Sequence, residues 1–330
     1  MLFNSYIFIF CFLPIVILGF FICQKIKNQS ISILWLISSS LFFYGWWNTK
    51  YLILIIISVL TNFALGSIIE KTRNKVFLIL GLLFNIALIG YFKYANFFVD
   101  NINLFIGANI HLNKVILPLA ISFFTFQQIA YLVDTYRGQA KQYQFLHYCL
   151  FVTFFPQLIA GPIVQHKEMM PQFKLGRFYS LRAKNLAIGV SIFAIGLFKK
   201  IVIADGISVY ATPMFDAAEI NAQLTFFEAW FGTLAYSMQL YFDFSGYSDM
   251  AIGLAQIFGL KLPVNFFSPY KALNIADFWR RWHITLSRLI REYLWDPISL
   301  SLTRLGFKYR LSSVSFFLLA TIVPTLFTFF

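Results

Sequence analysis

Residues 278–283, Phe278-Trp279-Arg280-Arg281-Trp282-His283, set two guanidinium groups and an imidazole among three large aromatic rings. An imidazole changes charge near neutral pH and can accept a proton, while adjacent arginines can hold an anion or neutralise a carboxylate. His283 is therefore the first catalytic candidate. The alternative is a satisfied core histidine, but here the ring is accompanied by charge in an otherwise apolar chain. On a helix starting near Asn274, Asp277 precedes Arg280 by three residues and Arg281 by four, so an acid-to-base pair would brace the first turns. The same helix would put Trp279, His283 and Ser287 on one face, with Trp282 beside them. An imidazole between an aromatic wall and a hydroxyl suits a general base.

A second polar group lies in Tyr241–Met250, "YFDFSGYSDM", which carries Asp243 and Asp249 beside Ser245, Tyr247 and Ser248. Each ionised carboxylate near a bilayer centre costs about 2.5–3.5 kcal/mol, so both need partners. Arg280 and Arg281 are the available cations. A structural ion-pair network is the first reading of these aspartates, and a direct part in chemistry is the alternative. Gln127 and Gln128, adjacent amides in mid-span, read as hydrogen-bonding across helices. His111, His147 and His166 fall in loops or at interfaces and read as bystanders. There is no glycine-rich phosphate loop, no nucleophile elbow and no metal-ligand spacing. Cys11, Cys23 and Cys149 lack paired spacing and read as packing residues.

These residues must be positioned by membrane helices. The chain is 59% hydrophobic and 12% charged, with 42 phenylalanines in 330 residues, and its mean hydropathy is +0.73. Such a composition belongs in a bilayer. The net charge of +13 comes from clusters between apolar runs, which suits anionic lipid and topology rather than nucleic acid. Apolar runs long enough to cross are expected at roughly 3–23, 31–47, 51–69, 76–92, 115–132, 186–204, 224–242 and 311–330. Basic loops at Lys25 and Lys27, and at Lys71, Arg73 and Lys75, are expected in the cytoplasm, with the N terminus outside. The first run lacks a basic leader and a cleavage site, so it is expected to remain as an anchor.

Two segments break the simple pattern. Pro156 and Gly161-Pro162 interrupt 145–165, which is expected to dip into the membrane and return. The stretch 229–259 is longer than one span, and a bend is expected near Ser245-Gly246. No repeat, heptad or low-complexity tract divides the chain. A single all-α, polytopic membrane domain over 1–330 is the expectation.

Four motifs, in order, resemble the membrane-bound O-acyltransferase family, in its bacterial branch with the alginate O-acetylases and the D-alanyl transfer protein of teichoic acid synthesis. They are "SFFTFQQIAYLVDTYR" (122–137), "FFPQLIAGPI" (154–163), "FDFSGYSDMAIG" (242–253) and "FWRRWHITLSRLIREYLW" (278–295). The resemblance covers about 43–295 and implies re-entrant segments around a buried funnel and tunnel. His283 matches the family's principal catalytic histidine. The implied reaction joins a cytoplasmic acyl thioester, acetyl-CoA or an acyl carrier, as co-substrate to a hydroxyl acceptor on the outer side. No bound cofactor or metal is implied. The implied partners are an extracytoplasmic transferase protein and a polysaccharide or peptidoglycan acceptor, and the implied location is the bacterial inner membrane. The chain departs from the branch after Tyr293: the usual IPLGG-like segment and a second histidine are missing, and 296–330 is divergent. A shortened, inactive member is one alternative reading. A transporter or channel with an Asp243/Asp249/Arg280/His283 pathway is another.

Overall fold

The computed structural model describes residues 1–26, 28–107, 115–140, 144–173 and 182–304. Among these the protein is all-α. In chain order the helices are α1 (Phe8–Lys25), α2 (Gln29–Gly45), α3 (Lys50–Thr72), α4 (Lys75–Ile106), α5 (Ile121–Tyr136), α6 (Phe145–Thr153), α7 (Phe155–Leu158), α8 (His166–Phe173), α9 (Ala183–Glu219), α10 (Phe226–Ile257), α11 (Ile275–Arg281), α12 (Ile284–Ile290) and α13 (Asp296–Arg304). A π turn, Arg291–Trp295, joins the last two. Helices α2, α4, α10 and α11 start where short polar side chains satisfy free backbone N–H groups. Asn28 accepts from Ser30 N at 3.0 Å, Asn74 from Val76 N at 2.9 Å and Asn274 from Asp277 N at 2.8 Å. Thr225 and Glu228 form a reciprocal capping box on α10.

Helices α1, α3, α4 and α9 are long and apolar enough to cross a membrane, and α2 is a shorter apolar helix. They coincide with five of the expected runs. The run expected at 311–330 lies outside the described residues, as do Lys27, His111, Lys141, Lys174 and Arg177. Phenylalanine supplies much of the packing: rings of Phe8 and Phe43, Phe12 and Phe155, and Phe43 and Phe155 lie 5.8, 5.4 and 5.6 Å apart. Inside this apolar bundle a buried polar thread crosses four helices. Asn85 of α4 donates to Asn62 of α3 at 2.6 Å, Gln128 of α5 to Ser58 of α3 at 3.0 Å, and Tyr148 of α6 to Gln128 at 3.3 Å. Gln128 thus makes the interhelical bonds expected of it.

The segment 145–165 is broken as its prolines require. α6 stops at Thr153, α7 is a single turn containing Pro156, and 161–165 leaves the helical conformation.

The expected bend in α10 is absent; the helix runs unbroken for 32 residues. Gly246 is not a hinge but a contact surface. A Cβ there would lie 2.7 Å from the Gly196 carbonyl oxygen, and one at Gly253 would lie 2.6 Å from that of Gly189. Two glycine pairs, seven residues apart on each helix, let the backbones of α9 and α10 touch. Substituting Gly246→Leu must push these backbones apart, so the thermal midpoint of the detergent-solubilised protein is expected to fall by about 5 °C or more. Gly90→Ala, which meets no atom within 4 Å, is the control expected to leave it unchanged.

Candidate active site

The catalytic candidate sits at a break rather than on a continuous helix. α11 ends at Arg281, Trp282 is extended, and His283 takes a left-handed conformation, φ 42° and ψ 54°, before α12 begins. A non-glycine residue held there is strained and must be fixed by its surroundings. Two backbone bonds fix it. Phe267 N donates to Arg281 O and Ile284 N to Asn265 O, both at 2.9 Å, pinning the irregular stretch 260–267 against the break. Trp279, His283 and Ser287 therefore do not share one helical face as expected. Ser287 instead turns back to the Trp279 carbonyl at 3.4 Å.

The same stretch supplies the partner of the imidazole. His283 Nδ1 lies 3.0 Å from Asn265 Oδ1, with both residues buried. That oxygen also accepts from Thr285 Oγ1 at 2.8 Å and from the Thr285 backbone N–H at 3.4 Å. The backbone N–H can only donate, so the amide must present its oxygen here. The amide nitrogen faces the other way and donates to Ser248 Oγ of α10 at 3.3 Å. An oxygen facing Nδ1 requires the proton on Nδ1. Burial lowers the proton affinity of the ring and favours its neutral form. Nε2 then carries a lone pair, and it has no hydrogen-bond partner among the described residues.

Aromatic rings close the surroundings. Phe244 of α10 stands edge-on to the imidazole at 4.9 Å, and Phe266 lies 5.2 Å from Trp282. On the far side, Ile163 N donates to Thr285 Oγ1 at 3.0 Å, which ties the proline-broken segment to the histidine through one hydroxyl.

The other charged candidates separate from this centre. Asp249 pairs with Lys199 and Asp243 with Lys200, each at 2.5 Å; Lys200 also reaches Asp205 at 2.8 Å. The cations are thus lysines from a π turn in α9, Lys199–Ala204, and not Arg280 or Arg281. Arg281 is held by Asp277 at 3.0 Å, the expected acid-to-base pair, and its guanidinium lies over the Phe267 ring. The hydrogen bond from Arg281 holds the Asp277 carboxyl below the usual range. Arg280 is exposed. Of the histidines set aside as bystanders, His147 stacks on Phe173 at 5.6 Å. His166 is buried, with Nδ1 3.6 Å from Asp134, and so belongs to a polar cluster rather than a loop surface. Among the described residues no group of His, Cys, Asp and Glu could hold a metal.

A histidine presented by a helix break and oriented through one ring nitrogen has the geometry to accept a proton from a hydroxyl. The family model of the membrane-bound O-acyltransferases, MBOAT, matches residues 82–322.

The chain belongs to this family.

It is 51% identical over 328 residues to a peptidoglycan O-acetyltransferase of Helicobacter pylori, covering 90% of this chain and 62% of that protein. It is 39% identical over 305 residues to a probable alginate O-acetylase AlgI of Pseudomonas aeruginosa, covering 89% of this chain and 56% of that protein. A teichoic acid D-alanyltransferase of Bacillus subtilis is 32% identical over 205 residues, 61% of this chain and 51% of the relative. The chain therefore spans between about half and three fifths of the length of these proteins.

Within this MBOAT chain three of the four sequence motifs, "FWRRWH", "GPI" and "FDFSGYSDM", meet around His283 through Asn265, Thr285, Ser248 and Phe244, whereas Asp243 and Asp249 of the last motif turn toward α9. Asn265 and Thr285 were not among the sequence candidates. The one signal for Asn265 was a lone amide between Val264 and Phe266 in an apolar stretch. The ion pairs are expected to be structural. Lys199→Leu, which strands Asp249, should lower the thermal midpoint, and adding Asp249→Leu should recover part of the loss.

Proposed function

We propose that the protein transfers an acyl group from a thioester to a hydroxyl, with His283 as general base. The observation that carries this reading is the bond between His283 Nδ1 and Asn265, which leaves Nε2 as a buried acceptor with its lone pair free. Nε2 takes the proton of the acceptor hydroxyl as its oxygen attacks the thioester carbonyl carbon. The tetrahedral intermediate collapses with cleavage of the carbon–sulfur bond, and the imidazolium returns its proton to the departing thiolate. Asn265 keeps the ring in one tautomer and stabilises the imidazolium through the Nδ1 proton, as an orienting group does in other histidine-base sites.

The acyl group proposed is acetyl and the acceptor a cell-envelope polysaccharide, peptidoglycan or an alginate-like polymer. The similarity to a peptidoglycan O-acetyltransferase and to a probable alginate O-acetylase supports this choice. The donor proposed is acetyl-CoA or an acyl carrier, and Arg280, exposed and uncommitted to Asp243, is a candidate for its charged groups. An extracytoplasmic protein partner would deliver the acceptor. The basic loops after α1 and α3 support an orientation with the N terminus outside, in a bacterial inner membrane. The transporter reading loses support because Asp243 and Asp249 are matched by lysines on another helix instead of lining a path with His283.

In cells whose envelope polymer is acetylated by this protein, His283→Ala is expected to abolish polymer-bound acetate while the protein accumulates normally in the membrane. Retained acetylation would overturn the assignment. Asn265→Leu removes the acceptor from both His283 and Thr285, and the initial rate of acyl transfer is expected to fall by about 10²-fold, the scale of a small misplacement of a reacting group.

A further inference from the structure

The polar residues of helix α12 and the π turn after it include Thr285, Arg288, Glu292 and Tyr293, none of which the acyl-transfer chemistry uses directly. Spacings of three and four place Thr285, Arg288 and Glu292 on one helix face. The π turn Arg291–Trp295 adds a residue to the turn and swings Tyr293 toward the same face. Every one of the four is engaged by a residue far away in the chain. Thr285 receives the Ile163 N–H, and Arg288 grips Glu168 with both guanidinium prongs, at 2.6 and 2.9 Å. Glu292 is bonded by Gln165 at 2.8 Å and by Lys167. Tyr293 donates to Asp134 at 2.6 Å. Asp134, on α5, is fully buried and also has His166 Nδ1 at 3.6 Å and Arg137 at 4.0 Å.

Together with Asp134 of α5 these partners form a ladder, since residues 163–168 follow one another immediately after the Gly161-Pro162 break. Beneath it, Ile163 packs with Leu286, Leu289 and Ile290 in a small apolar cluster. Half-exposed ion pairs contribute little to stability, but a two-pronged guanidinium–carboxylate pair imposes a specific orientation. The residue at the N-terminal end of the oriented helix is His283, held in a strained backbone conformation that its surroundings must enforce.

We infer that Arg288, Glu292 and Tyr293 are positioning residues, which use Glu168, Gln165, Lys167 and Asp134 to set where His283 stands relative to the reacting hydroxyl. The inference rests on the reading of His283 as the base. It assigns a role in turnover to the segment after the proline break: that segment is a template for the histidine helix.

The test is steady-state acyl transfer in membranes containing equal amounts of each variant. Glu168→Arg and Arg288→Glu are each expected to lower kcat by about tenfold or more. The double variant Glu168→Arg/Arg288→Glu, which restores the pair with its charges exchanged, should regain most of the loss. Arg288→Lys and Tyr293→Phe, which disturb folding least, should lower kcat while leaving KM for the donor within about twofold. Single variants that turn over like the parent, or a double variant no better than the singles, would overturn the inference. Should the charge-reversed singles fail to accumulate, Arg288→Lys and Tyr293→Phe decide the matter alone, and parental kcat in both overturns it. His283→Ala, assayed in parallel, separates the two readings. Activity retained there overturns the base assignment, whereas an inactive His283→Ala beside fully active ladder variants overturns only the positioning role.

Discussion

A single amide oxygen, Asn265 Oδ1, organises the site. It receives His283 Nδ1, the Thr285 hydroxyl and the Thr285 backbone N–H, while the nitrogen of the same amide reaches Ser248 on α10. Because a backbone N–H cannot accept, the amide turns its oxygen to this side, and an oxygen facing Nδ1 calls for the ring proton there. The Thr285 hydroxyl passes the connection on to Ile163. Three parts of the chain, at Ile163, at Ser248 and over 265–285, the outermost partners 122 residues apart in sequence, are thereby joined at one buried point. In an apolar interior an unsatisfied amide or hydroxyl is costly, so this network is held together by the penalty for breaking any part of it.

The rest of the architecture serves to bring those parts together. α10 must lie close to the 260–267 stretch on one side and to α9 on the other. The glycine pairs Gly196/Gly246 and Gly189/Gly253 allow the second contact, and the pairs Lys199–Asp249 and Lys200–Asp243 give the two carboxylates of α10 their counter-charges. The opposite face of the site is the proline-broken segment, whose freed backbone finds a partner in Thr285. Irregular backbone within an apolar bundle persists only where such partners exist. The strained φ of His283 follows from the same arrangement, since the two backbone bonds from Phe267 and Ile284 hold the helix break open.

Much of this was legible in the sequence, and the misses have physical causes. Apolar length located α1 to α4 and α9, and Pro156 with Gly161-Pro162 located the break in 145–165. His283 stood out because charge beside aromatics is expensive in an apolar chain, and the family motifs placed it further. Gly246 was misread because a glycine inside a long apolar stretch can mark either a bend or a close helix contact, and only the neighbouring helix distinguishes them. The partners of Asp243 and Asp249 were misassigned for a related reason: Lys200 and Lys199 lie 43 and 50 residues before them in sequence and become neighbours only through antiparallel packing of α9 and α10. Asn265 and Thr285 belong to no charged cluster, and their value arises from geometry that a linear reading cannot supply. His166, read as a bystander in a loop or at an interface, opens α8 and is buried beside Asp134.

The central claim is that His283 is neutral and protonated on Nδ1, with a bare Nε2. Nitrogen-15 NMR of the histidine-labelled protein in lipid, with the His283 signals assigned by their loss in His283→Gln, measures this directly. The account predicts a protonated Nδ1 and an unprotonated Nε2 at neutral pH, with the Nδ1 signal shifted when Asn265 is replaced. A proton on Nε2, or a signal indifferent to Asn265, would contradict it.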